Sequence, residues 1–199
     1  MDLVAEIRQE EEAIASIDAE FPQAAEAIRV AVTSFAQRWM TEQVERQVKG
    51  AGSERTKQLG KDGVQKVKSD LQALIADVPA RVRENFGHLD RLLEIPERSD
   101  AHPSGGKPFE EPVRIVLGGA GSLLSKYGYA TIGDGSEWQL ASGGPHVRYA
   151  TNLNRDENVE SALKSYFAIG KERRVHEAKL EALRARLSAS EATALWDEV

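Results

Sequence analysis

Two periodicities divide this chain, and Gly128 separates them. Before it, Val113, Val116, Leu117, Ala120, Leu124 and Tyr127 recur at helical spacing. After it the period becomes two over Tyr129 to Ile132, Glu137 to Ala141 and His146 to Thr151. Gly133-Asp134-Gly135-Ser136 and Ser142-Gly143-Gly144-Pro145 read as the turns between these strands. The fold class that follows is mainly α: helical bundle or coiled-coil arms, with a small three-stranded antiparallel β-meander inserted before a long C-terminal helix.

The helix before Gly128 is read as 112–127. Pro112 suits its first position, Lys126 its last turn, and Gly128 a left-handed C′ cap. It carries Gly118, Gly119 and Gly121 in its interior. Each costs about 0.8–1 kcal/mol against Ala. Close approach of another backbone to a surface without Cβ atoms would account for them. These three glycines, with Tyr129 and Trp138 of the meander, are candidate partner contacts.

Leu3, Ile7, Ile14, Ile17 and Phe21 form a heptad-like seam on a first helix over 2–20, with Glu10 in the vacant position. Pro22 is expected to end that helix or open the next, 22–48, whose face is Ile28, Val32, Phe35 and Trp39. Gly50 and Gly52 stop it. Residues 53–60 read as a linker or weak start. Val67, Leu71, Leu74 and Val78 then mark a helix, and Pro79 is expected to begin a new one. Residues 95–111, with Pro96, Pro103, Pro108 and a Ser-Gly-Gly run, read as a linker. The expected organisation is therefore an N-terminal helical bundle or arm over 1–94, a linker over 95–111, and a helix, meander and long helix over 112–199. Asn154 and Glu157 resemble a capping box for the last helix. Leu180, Leu183 and Leu187 give that helix a narrow seam and are further partner candidates.

Charge is unevenly placed. Of the net −6, residues 1–21 carry all, with seven acids against Arg8. Residues 38–68 hold eight basic side chains against four acids, and residues 164–186 seven against three. Solvated helix faces explain such runs. The sharper reading is that the acidic head docks on a basic stretch, or that these stretches meet an anionic partner.

Signatures of chemistry are sparse. Gly118-Gly119-Ala120-Gly121-Ser122 matches neither a phosphate loop nor a dinucleotide fingerprint, and helical periodicity runs through it. His88, His102, His146 and His176 lack zinc-site spacing. No Gly-x-Ser-x-Gly elbow accompanies Ser122. Neither cofactor nor metal is expected, and catalytic residues are assigned to none of these positions. A helix followed by a hairpin suggests a nucleic-acid reading through Arg114, Lys126, His146, Arg148 and Tyr149, although the chain is acidic overall. The first expectation is an interaction or assembly subunit, self-associating or bound to a protein partner. A nucleic-acid accessory role is the alternative, and an enzyme using the glycine-rich segment stands third. The chain has no Cys, no basic and apolar leader, and no run long enough to span a bilayer. A soluble cytoplasmic protein without membrane contact is expected.

Overall fold

The structure, a computed structural model, describes residues 2–90, 107–132, 138–140 and 156–197. Its frame is four long helices: α1 (Leu3–Arg46), α2 (Ser53–Asn85), α3 (Lys107–Lys126) and α4 (Glu157–Asp197). A π-helical turn, Gln47–Ala51, joins α1 to α2, and a 3₁₀ turn, Gly87–Asp90, follows α2.

The first helix begins where Asp2 accepts the Val4 N–H at 3.0 Å, the side-chain cap that a helix start requires. It does not end at Pro22. The expected pair 2–20 and 22–48 is one helix of 44 residues. Proline removes the bond to the Asp18 carbonyl, but Ile17, Phe21, Ala24, Ala25 and Ile28 are buried on either side, and that packing carries the helix through.

Pro79 corrects the second expectation in a more specific way. It too lies inside a helix, α2. The carbonyl it strands is that of Ile75, four residues earlier. The Gln37 amide of α1 donates to that oxygen at 3.0 Å. A side chain from the neighbouring helix thus supplies the hydrogen bond that proline cannot. The backbone break in α2 falls instead at Gly60, whose φ of 65° and ψ of −174° are accessible to glycine. The segment 53–60, read as a linker, is helical up to that point.

In α3 the expected start at Pro112 is also moved, to Lys107, so the last part of the expected linker is helical. Phe109 explains the added turn. It is fully buried, against Phe86 and His88 of the preceding turn and edge-on to Phe167 of α4 at 5.9 Å. The C-terminal expectation holds. Gly128 has φ 75°, its N–H bonds Ser125 O at 3.0 Å, and the Tyr129 N–H bonds Leu124 O at 2.8 Å. This is the Schellman pattern.

Two three-residue strands follow, Ala130–Ile132 (β1) and Trp138–Leu140 (β2), antiparallel with Ala130 opposite Leu140 and Ile132 opposite Trp138. The third expected strand, 146–151, and the turns at 133–136 and 142–145 lie outside the described residues. So does Asn154. Among described residues the cap of α4 is Asp156, which accepts the Val159 N–H at 3.1 Å.

Paired contacts fix the packing. Gln37 with Ile75, and Arg29 with the Phe86 carbonyl, run α2 antiparallel to α1. Lys126 with Asp70, and Gly119 beside Arg81, run α3 antiparallel to α2. Arg38 with Asp156, Phe21 with Tyr166, and Glu11 with Arg184 run α4 antiparallel to α1 from Arg38 to Glu11. One hydrophobic cluster draws on all four helices, from both sides of residues 95–111, and reaches Phe21 on α1 and Tyr166 on α4. Beyond it the two helices continue together as an arm. Residues 3–20 alone extend it by about 27 Å at about 1.5 Å per residue.

Candidate functional site

Two regions gather the residues singled out in the sequence: the end of α3 and the α1/α4 arm. At the end of α3, the Schellman turn docks on the π-helical turn. Arg55 donates from Nε to the Tyr127 carbonyl at 2.7 Å, so a side chain of α2 satisfies an open carbonyl of α3. Thr56 Oγ1 lies 2.8 Å from Val48 O and 2.7 Å from the Tyr129 hydroxyl. With the threonine proton given to the carbonyl, Tyr129 is the donor. Tyr129 is 1% exposed. Its ring passes so close to Gly52 that a Cβ there would stand 2.5 Å from Tyr129 Cδ1 and 2.8 Å from Gln47 O. A side chain at Gly128 would meet Arg55 Nε at 2.9 Å. Two glycines therefore let one tyrosine and one arginine bridge the turns. A cleft of about 410 Å³ opens beside them, lined by Gly52, Glu54, Arg55, Gln58, Gly128 and Tyr129. Gln47, in the π-helical turn, is 2% exposed, and its Oε1 has no hydrogen-bond partner among the described residues.

The same helix end carries a small polar network. Asp70 accepts from Lys126 Nζ at 2.6 Å and from the Tyr127 hydroxyl at 2.8 Å. The hydrogen bond from Lys126, and then that from Tyr127, hold the Asp70 carboxyl below its ordinary range. The same contact raises the Lys126 and Tyr127 pKa values. Arg114 pairs with Glu111 one turn away, which lowers the Glu111 pKa. Both cations proposed for phosphate contacts on α3 are therefore matched with acids. His146, Arg148 and Tyr149 lie outside the described residues.

The three interior glycines of α3 are not equivalent. At Gly119 a Cβ would meet Leu74 Cδ1 at 2.6 Å and Arg81 at 3.3 Å, so close approach is real there, made by side chains of α2 rather than a backbone. Gly121 is buried. Within the chain, Gly118 has nothing within 4 Å of a Cβ position. Their N–H groups lie within an α-helix, not in a phosphate-binding loop.

On the arm, the gap in the first seam finds its match. Glu10 Oε2 lies 2.6 Å from His176 Nδ1, with side chains 16% and 22% exposed, and Lys179 approaches Glu10 Oε1 at 3.9 Å. Arg173 reaches Asp18 at 2.6 Å and also pairs with Glu177, and Arg184 reaches Glu11 at 2.7 Å. The Asp18 hydrogen bond raises the Arg173 pKa. The acidic head thus docks on the basic stretch of its own chain. Leu180 is buried, and Leu183 and Leu187 are half-buried on the same side of α4 as His176. No sequence signal placed Gln37, Arg55 or Thr56 in a functional group of contacts. The vacant seam position did mark Glu10, but not its partner.

Comparison with protein-family models, with curated proteins and with solved structures returns no match to the chain. Among the described residues no helix is long and apolar enough to cross a membrane, and no three His, Asp or Glu side chains gather as a metal-ion set.

Proposed function

We propose that this chain is a non-enzymatic interaction or assembly subunit, acting as an oligomer or within a larger protein complex, and that the α1/α4 arm is the element with which it reaches its partner. One observation carries this reading: the arm extends beyond the common core and is held in register mainly by polar pairs. Along it only Ile17 and Leu180 fall to the buried level among described residues. An arm that buries so little adds little to the stability of the body. Polar pairs along and beside the seam instead specify which residues meet. We read the arm as an antiparallel coiled coil with seams Leu3, Ile7, Glu10, Ile14, Ile17, Phe21 and His176, Leu180, Leu183, Leu187. The strand pair β1–β2 is read as part of a three-stranded meander completed by 146–151. A cytoplasmic setting accords with a chain free of Cys. The nucleic-acid alternative has less support, because Lys126 and Arg114 both face carboxylates.

Light scattering across a wide concentration range, paired with cross-linking of the protein in its native extract, tests the proposal. The expected result is a mass above the 21.9 kDa monomer, or a stoichiometric partner cross-linked through residues 3–20 or 170–193. A monomer at every concentration with no cross-linked partner overturns it, as does a partner held only through the body.

A further inference from the structure

Both helices of the arm carry a helix-weakening residue at one level, and that level is where the arm leaves the core. In α1 it is Pro22, which removes the bond that would span Asp18 to residue 22. In α4 it is Gly170, a residue costing about 1 kcal/mol against Ala inside a helix. The register between the helices is fixed on either side. Phe21 meets Tyr166 at a ring distance of 5.0 Å on the body side, and Asp18 meets Arg173 at 2.6 Å on the arm side. Gly170 lies between Tyr166 and Arg173, so it stands across from the weakened turn at 18–22.

Pro79 provides an internal contrast. There the stranded carbonyl is bonded by Gln37, and the turn is secured from outside. At Pro22 no side chain from another element replaces the lost bond among the described contacts, and Asp18 commits its carboxylate to Arg173. The packing changes at the same level. Toward the body, Phe21, Ala24, Ala25 and Ile28 on α1 and Val159, Leu163 and Tyr166 on α4 are all buried. Toward the tip only Ile17 and Leu180 are buried among the described residues, and the polar pairs Asp18–Arg173 and Glu10–His176 hold the two helices together. A helix bends where a backbone bond is missing and where few buried contacts oppose the motion.

We infer that Pro22 and Gly170 form a double hinge, about which the two-helix arm swings as a unit relative to the four-helix body. Motion of one helix alone would break the Asp18, Glu10 and Glu11 pairs. Weak points facing each other in both helices let the arm tilt while those pairs stay closed. The hinge does not depend on what the arm binds, so its test is separate from that of the proposed function.

The chain has no native Cys, which allows paired spin labels to be placed directly. All label sites are exposed. Gln72→Cys with Ala178→Cys reports body to arm. Ser16→Cys with Val175→Cys reports across the arm, and Ala27→Cys with Gln72→Cys across the body. Pulsed electron double resonance should give a broad body-to-arm distance distribution and narrow ones for the other two pairs. Pro22→Ala with Gly170→Ala, each of which favours helix, should shrink the body-to-arm width to that of the within-body pair. Three results overturn the inference: a body-to-arm distribution already as narrow as the within-body one, a breadth unchanged by the double substitution, or a within-arm distribution as broad as the body-to-arm one, which would mean fraying.

Discussion

Replacing Gln37 tests whether a side chain holds α2 together at Pro79. The Gln37 amide donates to the Ile75 carbonyl at 3.0 Å, and Pro79 has no N–H to take its place. A hydrogen bond of this kind contributes about 0.5–1.5 kcal/mol, and leaving its acceptor buried and unpaired costs about 1–3 kcal/mol. Gln37 and Ile75 are both half-buried, so water reaches the carbonyl in part and the lower half of that range applies. Gln37→Leu, which retains volume, should therefore cost about 1–2 kcal/mol, or roughly 2–8 °C in Tm for a domain of this size. The Pro79→Ala background supplies the control. There the helix regains its own donor, and the same Gln37→Leu change should cost about 0.5 kcal/mol or less, a coupling of about 1 kcal/mol in the double-mutant cycle. Urea unfolding followed by circular dichroism at 222 nm measures all four proteins. Equal losses in the proline and alanine backgrounds would show that the Gln37 bond does not compensate for Pro79, and the reasoning would fail.

Three other perturbations separate the roles described above. Gly118→Ala should stabilise the protein by about 0.8–1 kcal/mol, since no atom opposes a Cβ there, whereas Gly119→Leu should destabilise it by about 1–3 kcal/mol through collision with Leu74; thermal melts with the same sign for both would contradict the packing of α3 on α2. Gly52→Ala should cost about 1–3 kcal/mol, because its Cβ would meet both the Tyr129 ring and the Gln47 carbonyl, while Tyr129→Phe should lose only the bond to Thr56, about 0.5–1.5 kcal/mol, and a Gly52→Ala protein of unchanged Tm would refute the clamp. The Asp70 carboxyl has a folded pKa below its unfolded one, so its contribution is full above the unfolded value and is lost as pH falls through the folded value. Asp70→Asn should accordingly lower stability at neutral pH and flatten the acid side of the stability–pH profile, and a profile parallel to that of the parent protein would exclude the contribution.

What the sequence made legible was local. The Schellman end of α3 at Gly128 followed from a helical stripe meeting a glycine, because that motif needs only neighbouring residues. The seam from Leu3 to Phe21 was visible for the same reason, including its vacancy at Glu10. The three prolines were misread because the rule for proline is also local, whereas each exception is tertiary: packing on α4 around Pro22, the Gln37 amide at Pro79, and Phe109 under the first turn of α3. The glycines of α3 show the same division. Composition marked all three, but only the position of Leu74 decides that Gly119 is confined and Gly118 is open. Tyr129, named as a candidate partner contact, is buried in the chain's own core, where Gly52 leaves room for its ring. The arm was half legible. Opposite charge in the head and in residues 164–186 suggested docking, and the heptad gave the face, but nothing in one strand of sequence pairs residue 10 with residue 176.

That pairing has a consequence for the order in which the chain is assembled. The α1–α2 hairpin can close as soon as α2 has left the ribosome, with Thr56 on the Val48 carbonyl only eight residues away. Residues 3–20 are made long before their partner helix; Glu11 and Arg184 are 173 positions apart. Closing so long a separation is slow relative to the local steps. During synthesis the acidic end of α1 therefore waits with its apolar seam uncovered. Its high density of carboxylates keeps that waiting segment solvated and self-repelling until the basic helix arrives.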